Sequence, residues 1–345
     1  MGVVKLRVID LFAGCGGLST GFMESGFKIT YAVEFDKSIA DTYIKNHNDT
    51  KLIVEDIKNV DNSDIFQRGM AEIIVGGPPC QGFSMAGARI RHNFTDDSRN
   101  YLFKHYYNIV NRVQPKIFVM ENVKGIATMN NGEILKKIFE LFVEIGYTVQ
   151  SQIFKASDFG IPQTRERMII IGILCSDWNF ESIIKETKSK IAKKDLLFFN
   201  KKTVWDVIAD LEHKPTDGSC TIKNHTATNH NDIAQRRMKK ISNGENYTVL
   251  NEDIKSVHSG SYGRLEKNGL APTITTRFDT PSGGKFIHPT LDRTITPREA
   301  ARIQSFPDKF VFFGNKTSIC KQIGNAVPPK FAYFLAEATK EILKI

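Results

Sequence analysis

The sequence predicts an α/β protein: a doubly wound, Rossmann-like mixed sheet, joined to a second, smaller and irregular domain. Three observations predict it. Short apolar runs alternate with amphipathic stretches up to about residue 175, a pattern that places helices on both faces of a largely parallel sheet. The ends of these runs carry glycines and acids. Beyond Cys175 the long apolar runs thin out and Asn, Thr, Gly, Lys and His become frequent. At 345 residues the chain has room for roughly two domains.

In chain order, Val3–Phe12 reads as a strand and Gly17–Ser25 as a helix closed by Gly26. Ile29–Val33 is a strand and Lys37–Asn46 a helix, followed by strands at Leu52–Val54 and Glu72–Val75. Tyr101–Val113 is helical, Ile117–Met120 a strand, and Gly132–Ile145 a helix ending at Gly146. Two late strands follow, Tyr147–Phe154 and Met168–Leu174. Segments such as Asn224–Asn231 and Thr280–Lys285 read as loops. Regularity returns at Thr296–Gln304, with Thr296 as N-cap, Pro297 at the first position and Glu299 at the capping-box spacing. Phe331–Leu343 is a final amphipathic helix. The expected division is a first domain over residues 1–177, completed by 310–345, and a second over 178–309.

Composition excludes several classes. Hydrophobic residues are 41% and charged residues 25%, ordinary for a globular chain. No run approaches the roughly 18 apolar residues of a membrane span, and the N-terminus carries no signal-peptide pattern, so a cytoplasmic protein is expected. The five cysteines are widely spaced with no Cys-x-x-Cys pair, which argues against a disulfide scaffold or zinc knuckle. Cys220, His225 and His230 match no compact zinc pattern, and no metal is expected. Forty-seven Lys and Arg against thirty-eight Asp and Glu leave a net charge of +9, which suits a polyanionic partner.

Ligands of open α/β sheets sit outside the carboxyl ends of the strands. The first strand leads into Asp10-Leu-Phe12-Ala-Gly14-Cys-Gly16-Gly17, where glycines let backbone approach a ligand. A dinucleotide fingerprint would continue with glycine at 19, which is Ser19. Glu34 follows the second strand at the offset where an acid meets ribose hydroxyls. Phe35 beside it is placed to stack on a purine, and Glu55-Asp56-Ile57 ends the third strand. Together these point to an adenosine-type cofactor. The fourth strand leads into Gly76-Gly77-Pro78-Pro79-Cys80-Gln81-Gly82-Phe83-Ser84: a rigid loop presenting one cysteine where a nucleophile would stand. The stretch Gln81–Asn100, with Arg89, Arg91 and Arg99, reads as a lid. Glu121 ends the fifth strand, a carboxylate suited to proton work. Arg165 and Arg167, at i and i+2 before the last strand, face one side.

These blocks identify a resemblance that covers nearly the whole chain. Asp10–Gly17, Glu34-Phe-Asp36, Asp56-Ile57, Gly77–Ser84, Glu121-Asn-Val123, Gln163–Arg167, Arg293–Asp308 and Gln322–Pro329 resemble, in order, the motifs of bacterial restriction–modification DNA (cytosine-5)-methyltransferases. The resemblance implies the S-adenosylmethionine-dependent methyltransferase fold, S-adenosylmethionine as methyl donor, S-adenosylhomocysteine as product, and cytosine in duplex DNA as substrate. By position it implies that Phe12, Gly14, Gly16, Glu34, Phe35, Asp56, Ile57, Pro78, Asn325, Ala326 and Val327 hold the cofactor. The C-terminal block, read as a glycine–asparagine turn, would fold back to complete that pocket. Cys80 would attack C6 of the flipped base and Glu121 would act at N3. Arg165 would contact the base's carbonyl side, with Arg167 supporting it. Gln81, Ser84, Arg89, Arg91, Arg99, Arg236, Arg237, Arg264, Thr273 and Arg277 would touch DNA, the last five from the variable second domain. The implied protein is a monomer near the bacterial nucleoid, with any cognate restriction endonuclease encoded separately and forming no stable complex. A tRNA cytosine-5 methyltransferase shares the catalytic residues, but Ser84 and the long second domain favour DNA. An inactive DNA-binding paralogue is disfavoured by intact Cys80, Glu121, Arg165 and Arg167. The positive charge is expected to concentrate on the cleft between the domains.

Overall fold

The computed structural model describes residues 5–79, 102–252, 254 and 260–344. The first unit runs β1 (Arg7–Leu11), α1 (Gly17–Glu24), β2 (Lys28–Glu34), α2 (Lys37–Asn46), β3 (Lys51–Val54), α3 (Ile57–Asp61), β4 (Ile73–Gly76), α4 (Leu102–Val113), β5 (Ile117–Val123), α5 (Glu133–Glu144), β6 (Tyr147–Lys155) and β7 (Glu166–Leu174). Sheet order is β3-β2-β1-β4-β5-β7-β6. All described pairs of this sheet are parallel except those of β7, which runs antiparallel to both β5 and β6. The segment joining β6 to β7 is short and contains no crossover helix, and parallel neighbours require a crossover, so β7 must reverse. The mixed sheet is therefore as expected. The chain winds outward from β1 to β3, then returns to start again at β4. That reversal opens a crevice beyond the ends of β1 and β4, where ligands bind in such sheets.

Alternate residues of each strand enter different cores. Val8, Ile73, Val75, Ile117, Val119, Ile169 and Ile171 face the α1 side. Ile9, Leu11, Ile74, Phe118, Met120, Met168 and Ile170 face α4 and α5. Burial on both faces explains the near-continuous apolar run of β7. A third core joins residues 204–312 to the C-terminal segment, through Ile274, Phe286, Ala300, Ile303, Phe312, Ile323 and Ala326.

The second half is more helical than its composition implies. It holds α6 (Phe180–Lys194), α7 (Trp205–Ile208), α8 (Asp232–Lys239), α9 (Pro297–Ile303), α10 (Lys316–Asn325) and α11 (Pro329–Leu343), with a two-stranded β8–β9 (Gly263–Arg264, Lys285–Ile287). α6 lies in a stretch expected to be irregular. Its stripe of Phe180, Ile184, Thr187 and Ile191 is buried, and Asn179 caps it through Ser182. Phe180, Ile184 and Ile191 join the α1-side core of the sheet, so the first core reaches beyond residue 177. Lysines on its outer face hid the periodicity. α9 carries the expected capping box between Thr296 and Glu299. The expected glycine–asparagine turn is instead the last turn of α10, capped at its start by Asn315. Gly324 serves close approach there: a Cβ would stand 2.5 Å from the Thr275 carbonyl carbon.

α1 lies directly against α11 and the segment before it. A Cβ on Gly21 would sit 2.5 Å from both the Pro329 carbonyl oxygen and the Ala332 Cβ, and backbone there cannot yield cheaply. Gly21→Ala is therefore expected to destabilise the fold by about 1–3 kcal/mol through overpacking, despite the better helix propensity of alanine, as a lowered urea midpoint.

Candidate active site

The crevice is built from strand ends. After β1, the backbone takes positive φ at Phe12 (60°), Gly14 (57°) and Gly16 (94°), turning the chain sharply into α1. Glu34, at the end of β2, accepts the Gly14 amide at 2.9 Å and the Asp36 amide at 2.8 Å. This carboxylate fixes the glycine loop and keeps lone pairs for further donors. Burial raises its pKa. Phe35 next to it is 68% exposed, an aromatic face free for a planar partner. Asp36 caps α2 through the Ser38 amide and pairs with Lys321 of α10 at 2.8 Å. Asp56 caps α3 through the Lys58 amide, and the Ile57 side chain is buried in the α4-side core.

From the other end of the chain, Ala326 and Val327 are buried and Asn325 is exposed. The Val327 carbonyl lies where a Cβ on Gly17 would fall, so the C-terminal block closes on the first turn of α1. The structure thus brings Gly14, Gly16, Glu34, Asn325, Ala326 and Val327 to one end of the sheet.

The neighbouring strands bring a carboxylate to the same end of the sheet. Pro78 is buried, and its carbonyl accepts the Asn122 side-chain amide at 3.0 Å, tying the Pro-Pro loop to the end of β5. Glu121 lies beside the same loop; a Cβ on Gly77 would be 3.1 Å from its Oε2. Its Oε1 pairs with Arg167 Nε at 2.7 Å. Cys80, Gln81, Ser84, Arg89, Arg91 and Arg99, with the expected lid, lie outside the described residues.

The two arginines are placed differently from the expectation. Arg165 is 2% exposed. Its guanidinium donates to the carbonyls of Ile274 (3.4 Å), Gly324 (3.3 Å) and Ala326 (2.9 Å). Burial pulls its pKa down to about 9. It is a structural clamp, whereas Arg167 is the arginine beside Glu121. Two positions on one strand face share a direction, but β7 begins at Glu166, so Arg165 lies ahead of the strand and turns into the interior.

Among the second-domain candidates, Arg236 and Arg277 are exposed and Thr273 is half-buried. Arg237 is occupied by Glu252 at 2.7 Å and by the Tyr262 hydroxyl. Arg264 corrects the expectation of a DNA contact. It is buried and donates to the carbonyls of Met238, Ile241, His288 and Leu291 and to Asp292, a full set of partners for one guanidinium. His225 and His230 are held by the hydroxyls of Thr296 and Thr294 at 3.0 Å each. Among the described residues no group of His, Cys, Asp and Glu could hold a metal.

One site residue carried no role in the sequence. Asp10, fully buried at the end of β1, accepts from the Ser19 hydroxyl at 2.6 Å, and that hydroxyl also meets Tyr43. α1 has no side-chain cap of its own, and Asp10 reaches its first turn from below. Its position directly before the glycine loop was the available signal.

Comparison with known proteins places this geometry. Residues 6–341 match the model of C-5 cytosine-specific DNA methylases. The type II methyltransferase M1.HphI of Haemophilus parahaemolyticus is 34% identical, the match covering 97% of this chain and 87% of the relative. The type II methyltransferase M.NgoPII of Neisseria gonorrhoeae is 35% identical, with 98% and 96% covered. A putative DNA modification methyltransferase encoded within an Escherichia coli prophage superposes with a TM-score of 0.71 at 29% identity, covering 99% of this chain and 100% of that one.

Two outcomes follow from the geometry. Arg264→Ala is expected to lower stability by several kcal/mol, since it strands buried carbonyls. Arg236→Ala and Arg277→Ala should stay within about 0.5 kcal/mol of wild type; urea unfolding separates the cases. Burial raises the Asp10 pKa to about 7, with Ser19 opposing the shift. Between about pH 4, where the unfolded carboxyl ionises, and pH 7 the unfolded state holds fewer protons than the folded one. Stability from this group therefore falls as pH rises through that window and is level above it. Asp10→Asn should remove that slope in unfolding measured at pH 5 and pH 8.

The chain belongs to the C-5 cytosine-specific DNA methylase family and is a DNA cytosine methyltransferase of the bacterial restriction–modification type.

Proposed function

We propose that the protein transfers a methyl group from S-adenosylmethionine to C5 of one cytosine within a specific duplex DNA sequence, through a flipped base and a covalent bond from Cys80 to C6. The observation that carries this reading is the shared loop. β4 ends in Gly76, the next residues lie against Glu121 and Asn122, and the residue that follows Pro79 is Cys80. On the other side of β4 stands β1, whose glycine loop is held by Glu34.

The donor-side residues fit an adenosine ligand. Glu34 offers acceptors for ribose hydroxyls, exposed Phe35 a face for adenine, and the positive-φ loop leaves backbone amides at the first turn of α1. Phe12, Gly14, Gly16, Asp56, Ile57, Pro78, Asn325, Ala326 and Val327 complete the proposed pocket. The bound donor supplies an electrophilic methyl group on a sulfonium.

Cytosine C5 is a weak nucleophile. Addition of the Cys80 thiolate to C6 forms the S–C6 bond and moves the C5=C6 π electrons to C5 and on through C4 to N3, making C5 enamine-like. Glu121, with Oε1 held by Arg167, presents Oε2 to share a proton with N3 and offset the negative charge. After C5 is methylated, a base removes its proton, with water as a candidate. The released electrons restore C5=C6 and expel Cys80. Extrusion of the base costs roughly a few kcal/mol, which phosphate contacts must offset. The proposed recognition domain lies within residues 178–309, beyond α6, which packs on the core of the sheet. Arg236, Arg277 and Thr273 are its accessible candidates, and Gln81, Ser84, Arg89, Arg91 and Arg99 the candidates on the catalytic side. We infer a monomer acting in the bacterial cytoplasm, without a stable complex with any cognate endonuclease.

Labelled S-adenosylmethionine with duplex DNA or tRNA tests the reading. DNA should take the label, and label in tRNA alone would overturn it. Cys80→Ser should lower the rate at least 10³-fold, an order-of-magnitude expectation for loss of covalent catalysis, and abolish the adduct with 5-fluorocytosine DNA. Bisulfite sequencing of DNA from expressing cells identifies the target sequence.

A further inference from the structure

The block Arg293–Asp308 contains a residue that the chemistry above does not use. Gln304 is fully buried. Its side-chain amide donates to the Ile323 carbonyl at 2.7 Å and the Ala326 carbonyl at 3.4 Å. Its oxygen accepts from the Gln163 side-chain amide at 2.7 Å. Gln163 is also fully buried, and its own oxygen accepts the backbone amide of Ile274 at 3.4 Å. The flanking backbone repeats the link, with the Thr164 amide on the Ala271 carbonyl at 2.9 Å. Arg165 makes a second bridge between the same two segments, from Ile274 to Gly324 and Ala326.

Two buried polar bridges thus join Ala271–Ile274, which contains the recognition candidate Thr273, to Ile323–Ala326, which contributes Asn325 and Ala326 to the proposed donor pocket. A glutamine pair satisfied at both ends holds one relative position of these segments. A slip of either would leave buried amides or carbonyls unpaired, at a cost of about 1–3 kcal/mol per group. We propose that Gln163 and Gln304, with Arg165, are positioning residues that couple target-DNA binding to donor binding. The proposal rests on the function proposed above. Ordering of the recognition segment by DNA sets the Ile274 end of the bridges and so sets the Ala326–Val327 wall of the pocket. By linkage, donor binding must tighten DNA binding by the same factor.

The experiment measures the Kd of S-adenosylhomocysteine with and without a duplex carrying the mapped target, and the Kd of that duplex with and without S-adenosylhomocysteine. Wild type is expected to show one reciprocal factor of at least about fivefold. In Gln304→Met and Gln163→Met, each of which keeps volume and removes side-chain hydrogen bonds, the factor should fall below twofold while each ligand still binds alone. Gln163→Met leaves the bonds of Gln304 to Ile323 and Ala326 in place and serves if Gln304→Met does not fold. In the wild-type protein, S-adenosylhomocysteine should also slow hydrogen exchange at the Thr164 and Ile274 amides. A wild-type factor of one, an unchanged factor in a folded variant, or unchanged exchange at those amides overturns the coupling. A wild-type protein that binds neither ligand overturns the proposed function instead.

Discussion

A buried cation needs fixed partners, and the structure is organised around one. The Arg165 guanidinium, taken out of water, has backbone carbonyls for its partners in place of a carboxylate. Hydrogen bonds from a charged donor contribute about 1.5–3 kcal/mol each, and an unpaired buried charge is costly. The two segments that carry those carbonyls are therefore bound to the start of β7. One borders the proposed recognition residues, and the other is the C-terminal return that faces α1. Neither the wall of the proposed donor pocket nor the placement of these segments is set by the sheet alone.

The pair of arginines divides two tasks by burial. Arg165, with no water access, holds backbone. Arg167, one strand position inside β7, stays close enough to the strand ends to hold Glu121 at 2.7 Å. Lysine at either position would lose the planar fork that reaches several acceptors at once.

The net charge of +9 is only partly available to a phosphate backbone. Lys190 and Lys194 on α6 pair with Glu341 and Glu337 of α11, fastening helix to helix. Arg264 and Arg302 are likewise spent on internal carbonyls and acids. Much of the positive charge in this chain serves as structural fastening.

Local pattern was enough for the strands, the helices that cover them and the strand-end residues, because period and capping are written in neighbouring positions. Val8/Ile9 and Ile169/Ile170 divide between the two faces as strand alternation requires, and Glu34, Phe35, Asp56 and Glu121 each stand within two residues of a strand's end. α6 escaped because lysines filled its outer face, and α10 because Gly324 and Asn325 resemble a turn when seen without Thr275 beside them. Which arginine meets Glu121, that Arg264 is internal, and that Gln163 reaches Gln304 across 141 positions were decided by tertiary structure alone. Those outcomes depend on which backbone carbonyls converge in space, and a carbonyl leaves no mark in the identity of the residue that carries it.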